Sequence, residues 1–281
     1  MTGVRFAKGH GTENDFVLLL DPERSVDLTP GLVAALCDRR AGLGADGVLR
    51  VVLAATDPEG APMSDRARWF MDYRNADGSA VEMCGNGLRV FARYLVDAWL
   101  EPAGEFGIAT RDGVKHVRLG ATGEVTVDMG PARFPAPDEV KVSVGDRSWP
   151  AVSVDMGNPH AVAFVDDLAE AGPLTAAPLV EPAFPAGVNV EFVVDRGERH
   201  VAMRVHERGV GETRSCGTGA CAVMVAAARR AGVAGPTSYV VDVPGGRLTV
   251  TRRPDGHVEL TGPAVLVGDG ELRPEWLAAH R

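Results

Sequence analysis

Met83-Cys84-Gly85-Asn86-Gly87 and Ser215-Cys216-Gly217-Thr218-Gly219 are nearly the same five residues written twice, once in each half of a 281-residue chain. Each introduces a segment that is apolar on almost every face. Asn86 to Leu100 carries Leu88, Val90, Phe91, Leu95, Val96 and Trp99, and Thr218 to Arg230 carries Ala222, Val223, Val225 and Ala226. A helix that is apolar nearly all round is a buried one. A second pair of segments precedes these two. Asn14, in His10-Gly-Thr-Glu-Asn-Asp-Phe-Val17, and Asn158, in Met156-Gly-Asn-Pro-His-Ala-Val162, each stand before an apolar run, and the intervals 14 to 84 and 158 to 216 span 70 and 58 positions. The chain therefore reads as a duplicated unit, which changes the fold that its parts predict.

Outside the two helices, short alternating apolar runs dominate, and Gly, Pro or Asp punctuates most of them. They include Phe16 to Leu20, Val48 to Leu53, Arg68 to Tyr73, Val114 to Leu119 and Val125 to Met129 in the first half. The second half has Val140 to Val144, Ala151 to Met156, Ala161 to Val165, Val188 to Val194, Val201 to Glu207, Tyr239 to Val243, Arg247 to Thr251 and His257 to Thr261. These runs predict strands. One further helix is predicted over Pro30 to Arg39, with Thr29 as its cap and Leu32, Val33, Leu36 and Cys37 on one face. The expected fold is α/β (α+β): two pseudo-symmetric, strand-rich lobes, each a mixed or antiparallel sheet wrapped around a central buried helix, with the site in the cleft between them. The expected lobes are 1–130, to which 269–281 return, and 131–268, because Pro131, Pro135 and Pro137 cluster near that boundary.

Composition narrows the function. With 45% apolar and 24% charged residues the chain is ordinary globular material, which excludes disordered and fibrous classes. The formal charge of −9 argues against a nucleic-acid or anionic-membrane surface and favours a small-molecule partner. The N-terminal residues resemble no leader, and the longest apolar run, Ala222 to Ala228, is far short of a ~20-residue span, so a cytoplasmic protein is expected. Four cysteines are too few for a disulfide scaffold, and seven scattered histidines give no zinc-like spacing, so no metal is expected. Gly42-Leu-Gly-Ala-Asp-Gly47 fits a dinucleotide-binding spacing literally, but a helix precedes it and a strand follows, the reverse of what that site needs.

Cys-Gly-x-Gly ahead of a buried helix carries more chemistry. The glycines let the backbone approach a ligand, and the helix N-terminus offers N–H groups and a partial positive charge to an anion. A cysteine there is expected to gain thiolate character; lowering its pKa from about 8.5 to roughly 6.5 corresponds to ~2.7 kcal/mol. Cys84 and Cys216 are therefore the reactive candidates, while Cys37 and Cys221, on an apolar face and inside a helix, read as core. Two facing acid/base groups suit removal of a proton from one face of a carbon and its return to the other. That reaction is racemisation or epimerisation. Lys8, Lys115 and Lys141 are the only lysines and none suggests a pyridoxal Schiff base, so no cofactor is expected. A cysteine hydrolase using Cys84 with His160, and an amino-acid-binding protein without chemistry, stand as rivals.

Gly11-Thr-Glu-Asn-Asp-Phe16, Tyr73-Arg-Asn-Ala-Asp-Gly-Ser79, Met83-Cys-Gly-Asn-Gly-Leu-Arg89, Gly157-Asn-Pro-His160, Asn189-Val-Glu-Phe192, Glu207-Arg208, Gly211-Glu-Thr213 and Ser215-Cys-Gly-Thr-Gly-Ala220 together resemble the diaminopimelate epimerase family, in order and over essentially the whole chain. The resemblance implies a cofactor-independent epimerase of LL- and meso-diaminopimelate in lysine and peptidoglycan-precursor synthesis, commonly a homodimer. It implies Cys84 and Cys216 as the two bases, His160 supporting Cys84, and Glu207 supporting Cys216. It further implies that the amides of Gly85, Asn86, Gly217 and Thr218 hold the carboxylate at the reacting carbon, and that Asn14, Asn75, Asn158, Asn189 and Arg208 read the far end of the substrate. An Arg fork suits a carboxylate, and Asn offers donor and acceptor without net charge. Another racemase or isomerase of the same architecture is the alternative within that resemblance. One departure stands out: much of the family has Gln where this chain has Gly47.

Overall fold

The computed structural model describes residues 4–280 apart from 122 and 136. The chain begins with β1 (Arg5–Gly11), β2 (Asn14–Leu20), α1 (Pro30–Cys37), β3 (Gly47–Leu53), β4 (Trp69–Asn75), α2 (Gly85–Asp97), β5 (Glu105–Thr110), β6 (Gly113–Leu119) and β7 (Val125–Pro131). It continues with β8 (Glu139–Val144), β9 (Arg147–Asp155), β10 (Pro159–Phe164), β11 (Leu179–Glu181), β12 (Asn189–Gly197), β13 (His200–Glu207), β14 (Gly211–Thr213) and α3 (Gly217–Arg230). Then follow β15 (Thr237–Val243), β16 (Gly246–Arg252), β17 (His257–Gly262), β18 (Val265–Glu271) and α4 (Pro274–Ala279). Two units form: one from the residues up to Val127 together with those from Pro263 onward, the other from Asp128–Gly262.

In the first unit the strands run β18-β1-β2-β3-β4-β5-β6-β7, and successive neighbours are antiparallel, antiparallel, parallel, antiparallel, parallel, antiparallel and antiparallel. This sheet curls about α2, which packs against β1, β2, β3, β4, β6 and β18. Leu88, Val90, Phe91, Ala92 and Leu95 of α2 are fully buried there. Outside the curl, α1 packs on β3, joining Leu32, Val33, Leu36 and Cys37 to Val17, Leu19 and Val48. Thr29 caps α1, its Oγ1 accepting from the Leu32 N–H at 3.1 Å. The helix stops at Cys37, short of the predicted Arg39, because Asp38 turns extended and its carboxylate accepts from the N–H groups of Arg40 and Ala41 at 2.7 Å.

In the second unit the order β8-β9-β10-β12-β13-β15-β16-β17 repeats that succession of directions strand for strand. Here α3 is the enclosed helix, packed against β9, β10, β12, β13, β15, β16 and β17. The duplication read from the sequence is thus present in the topology: α2 lies between β4 and β5 in the chain as α3 lies between β13 and β15, and β18 fills in the first unit the place that β8 fills in the second. β11 is added beside β8, and β14 beside β13.

Trp99 departs from the reading of a helix that is buried to Leu100. The helix ends at Asp97, Trp99 takes φ 58°, and its side chain is 93% exposed. The Leu100 N–H donates to Leu95 O at 2.8 Å and the Trp99 N–H to Val96 O at 3.1 Å, a helix-ending pair of bonds that puts a left-handed residue at position 99.

Candidate active site

The two repeated motifs start their helices in the same way. Cys84 is the N-cap of α2, with φ −145° and ψ 120°, and Cys216 is the N-cap of α3, with φ −121° and ψ 117°. Extended backbone at the cap turns each thiol back over the helix start. Cys84 Sγ accepts from the Gly87 N–H at 3.4 Å, and Cys216 Sγ accepts from the Gly219 N–H at 3.4 Å. A sulfur does here what a Ser or Asp oxygen ordinarily does. Gly85 and Asn86, like Gly217 and Thr218, occupy the first turn, whose N–H groups precede any intrahelical acceptor.

Within the first unit, Asn14 stands over Cys84. Asn14 Oδ1 accepts from Asn86 Nδ2 at 3.1 Å and lies 3.8 Å from Cys84 Sγ, while Asn14 Nδ2 donates to Asp46 Oδ2 at 2.8 Å. Asp46 is tied to Arg39, whose guanidinium also forks onto Asp15 at 3.0 and 2.8 Å. Burial pushes the Asp15 carboxyl up, but Arg39 and Lys8 outweigh it and hold the group at about 2. Asn75 ends β4, where its side chain accepts from Tyr73 Oη and donates to Ser79 Oγ, both at 3.1 Å. Gly47 pairs with Asn75 across β3 and β4. A Cβ at position 47 would sit 2.5 Å from Arg74 O and 2.7 Å from Tyr73 Cε2, so the strand pairing itself leaves no room for a side chain there.

The second unit draws its named residues into one connected group. His160 on β10 is fully buried; its Nδ1 lies 2.6 Å from Glu191 Oε1 and its Nε2 3.0 Å from Asn158 Oδ1. Asn158 Nδ2 donates to Thr218 Oγ1 at 3.3 Å, and Thr218 Oγ1 is 3.5 Å from Cys216 Sγ. Asn189 Nδ2 donates to Pro159 O at 3.2 Å, and its Oδ1 accepts from the Arg208 N–H at 2.9 Å. The Arg208 guanidinium donates to Ala186 O at 2.9 Å. Glu207 accepts from the Thr213 hydroxyl and from the Cys216 thiol.

Electrostatics overturn one expectation. The helix N-terminus was expected to give Cys216 thiolate character, but burial pushes this thiol well above its ordinary range, and the neighbouring carboxylates of Glu207 and Glu191 push it further. The hydrogen bonds from Thr218 and the Gly219 N–H oppose that rise and do not overcome it. Burial also raises the Glu207 carboxyl, against hydrogen bonds from Thr213 and Cys216. Cys216 therefore rests as a thiol beside a carboxyl of raised basicity, an acid/base pair that can exchange one proton. Cys37 and Cys221 are buried, and burial lifts the Cys37 thiol to about 11.

Glu191, Thr213 and Asp46 were not singled out from the sequence. The signal for Glu191 was present: it is the one charged residue in the apolar run Val188 to Val194, and an isolated charge inside a buried strand needs a partner. Among the described residues, no group of three or more His, Cys, Asp or Glu side chains is placed to hold a metal ion, and no helix is long and apolar enough to cross a membrane.

A family model described as diaminopimelate epimerase matches residues 6–135 and 152–267. The diaminopimelate epimerase of Streptomyces coelicolor is 63% identical, over 98% of this chain and 98% of its own length. That of Thermobifida fusca is 50% identical, over 96% and 98%. Among solved structures, a PhzF-family phenazine biosynthesis protein of Bacillus anthracis aligns with a TM-score of 0.72 at 16% identity, covering 97% of this chain and 100% of its own. A hydroxyproline epimerase of Agrobacterium vitis aligns with a TM-score of 0.66 at 17% identity, covering 97% and 94%. At such identities these two speak for the fold alone. The chain belongs to the diaminopimelate epimerase family.

Proposed function

We propose that this protein is a diaminopimelate epimerase, an isomerase that interconverts LL- and meso-diaminopimelate with Cys84 and Cys216 as its two acid/base groups. The observation that carries the reading is the twin placement of the thiols, each the N-cap of the enclosed helix of its own unit, each over a first turn of glycine-flanked amides. One thiolate removes the α-proton, and the other thiol delivers a proton to the opposite face of the same carbon. The raised Cys216 makes it the proton donor of the resting enzyme, with Glu207 taking its proton when the reaction runs the other way. His160 serves the proton transfers of Cys84.

As the α-carbon loses its proton, charge develops on the adjacent carboxylate. The N–H groups of Gly85, Asn86, Gly217 and Thr218 stabilise it, since amides fixed at a helix start need no reorganisation. Asn14, Asn75, Asn158, Asn189 and Arg208 bind the distal ammonium and carboxylate, so that only an amino acid with two such ends is held well. The family resemblance supports a role in lysine and peptidoglycan-precursor synthesis, in the cytoplasm, for a homodimer; sedimentation at micromolar protein is expected to give twice the chain mass.

The deciding experiment is incubation with LL-diaminopimelate in deuterated water. Deuterium entering at the α-carbon together with formation of the meso isomer supports the reading, and absence of exchange overturns it.

A further inference from the structure

Glu191 is fully buried, yet only one of its oxygens is used. Its Oε1 lies 2.6 Å from His160 Nδ1, whereas Oε2 has no hydrogen-bonding partner among the described residues. The position follows from the sheet. β10 and β12 are parallel, with His160 opposite Asn189 and Glu191 two residues further along the same face. The same carboxylate touches the helix start: a Cβ on Gly219 would come within 2.8 Å of Glu191 Oε1 and 3.3 Å of Cys216 Sγ. Burying a carboxylate with an unsatisfied oxygen is destabilising, a cost that is tolerated where the site uses the group.

A carboxylate only accepts hydrogen bonds, so Glu191 fixes Nδ1 of His160 as a donor in every protonation state of the ring. The other nitrogen then meets a chain of groups whose direction can reverse. When His160 Nε2 is protonated it donates to Asn158 Oδ1, Asn158 Nδ2 donates to Thr218 Oγ1, and the Thr218 hydroxyl is left to donate to Cys216 Sγ. When Nε2 is bare, the amide turns over and donates to it. Asn158 Oδ1 then accepts from the Thr218 hydroxyl, which no longer donates to Cys216 Sγ, and the Cys216 thiol keeps its one proton for Glu207. The separations along this chain are 3.0, 3.3 and 3.5 Å, and the first two serve both directions.

We propose that Glu191 is a positioning residue anchoring a reversible hydrogen-bond relay, His160–Asn158–Thr218, that ties the protonation of His160 to that of Cys216: imidazolium with thiolate, neutral imidazole with thiol. No proton travels through the amide. Each end exchanges its own proton, and the relay sets which combination is favoured. The proposal rests on reading Cys216 as an acid/base group.

The titratable groups facing this chain are Glu191 from β12, Glu207 from β13, His160 from β10 and Cys216 itself. The test follows alkylation of Cys216 by iodoacetamide against pH in the Cys84→Ala protein, with mass mapping to separate it from Cys37 and Cys221, which are buried as Cys216 is. The parent is expected to show a shoulder of reactivity below the main rise, from thiolate paired with imidazolium. Thr218→Val keeps every charge and removes the hydroxyl; it should erase the shoulder and slow alkylation there about tenfold. Thr218→Ser should restore it. Glu191→Gln, which removes the charge facing His160 Nδ1, should diminish the shoulder. A shoulder that survives Thr218→Val unchanged means that charge alone couples the two groups and overturns the relay. A shoulder indifferent to Glu191→Gln overturns the role of Glu191. Because alkylation needs no substrate, these outcomes are separate from a failure to epimerise diaminopimelate.

Discussion

Cys84 and Cys216 are structural equivalents: both cap an enclosed helix from an extended conformation, and both accept from the N–H three residues on at 3.4 Å. In the proposed reaction they are the two acid/base groups, and both are expected to be indispensable. Cys84→Ala and Cys216→Ala are each expected to lower kcat by about 10²–10⁴-fold, the usual worth of a positioned acid or base. Because both belong to one chain, mixing the two variant proteins should recover no activity. Recovery on mixing would mean that subunits share a site.

The glycines behind the two thiols are not equivalent. A Cβ at Gly87 meets Leu49, Cys84 and Phe16 at 3.3 to 3.6 Å, whereas at Gly219 it meets Glu191 Oε1 at 2.8 Å. Gly87→Ala is expected to fold and retain most activity. Gly219→Ala must displace Glu191 or the thiol, with a loss of about 1–3 kcal/mol in unfolding free energy and a larger fall in kcat. Equal effects of the two substitutions on urea unfolding and turnover would contradict this asymmetry.

Burial and then the Glu207 carboxylate raise Cys216, and in the proposed reaction Glu207 accepts its proton. Glu207→Gln should therefore slow epimerisation by about 10²-fold or more while leaving alkylation of Cys216 no slower than in the parent. Burial raises this carboxyl, so the acid limb of the rate profile is expected above that of an ordinary glutamate. In the Gln variant that limb should vanish.

Gly47 is fixed by its surroundings. Restoring the family's common residue with Gly47→Gln drives a Cβ into the Arg74 carbonyl. The expected result is a loss of about 1–3 kcal/mol in stability and no gain in substrate affinity, read by thermal unfolding and KM.

Asp15 supplies an acid-sensitive contribution. Its carboxyl stands at about 2 in the folded chain and near 3.9 when unfolded, so the folded state holds it charged more readily. The contribution, about 2 kcal/mol, is complete above roughly pH 4 and disappears as pH falls through about 2. Asp15→Asn should cost that amount in urea unfolding at pH 7 and little at pH 2.

The duplication, both enclosed helices and thirteen strands were legible because apolar alternation and the repeated Cys-Gly-x-Gly are local signals. β1 and β18 were not. β1 carries Lys8, Gly9 and His10, and is a strand because Gly9 lets it lie against Val265 and Val90; β18 is glycine-rich and largely exposed. β1 lies between β2 and β18, and β18 owes its form to β1, a long-range contact that leaves no local pattern. At the site, the position of the two cysteines ahead of the enclosed helices was legible in sequence, but their capping role and the protonation of Cys216 were not. That protonation depends first on burial and then on Glu207 and Glu191, and both burial and the approach of β12 and β13 to the thiol exist only after folding.

The placement of β18 has a consequence for synthesis. Phe6 pairs with Gly270, and the second unit lies wholly between them in the chain. A nascent polypeptide leaving the ribosome therefore releases all of Asp128–Gly262 while β1 still lacks one neighbour. The unit translated first is the last to close. A premature stop before Val265 would spare every residue of the later unit and leave the earlier one with an open edge, a template for aggregation.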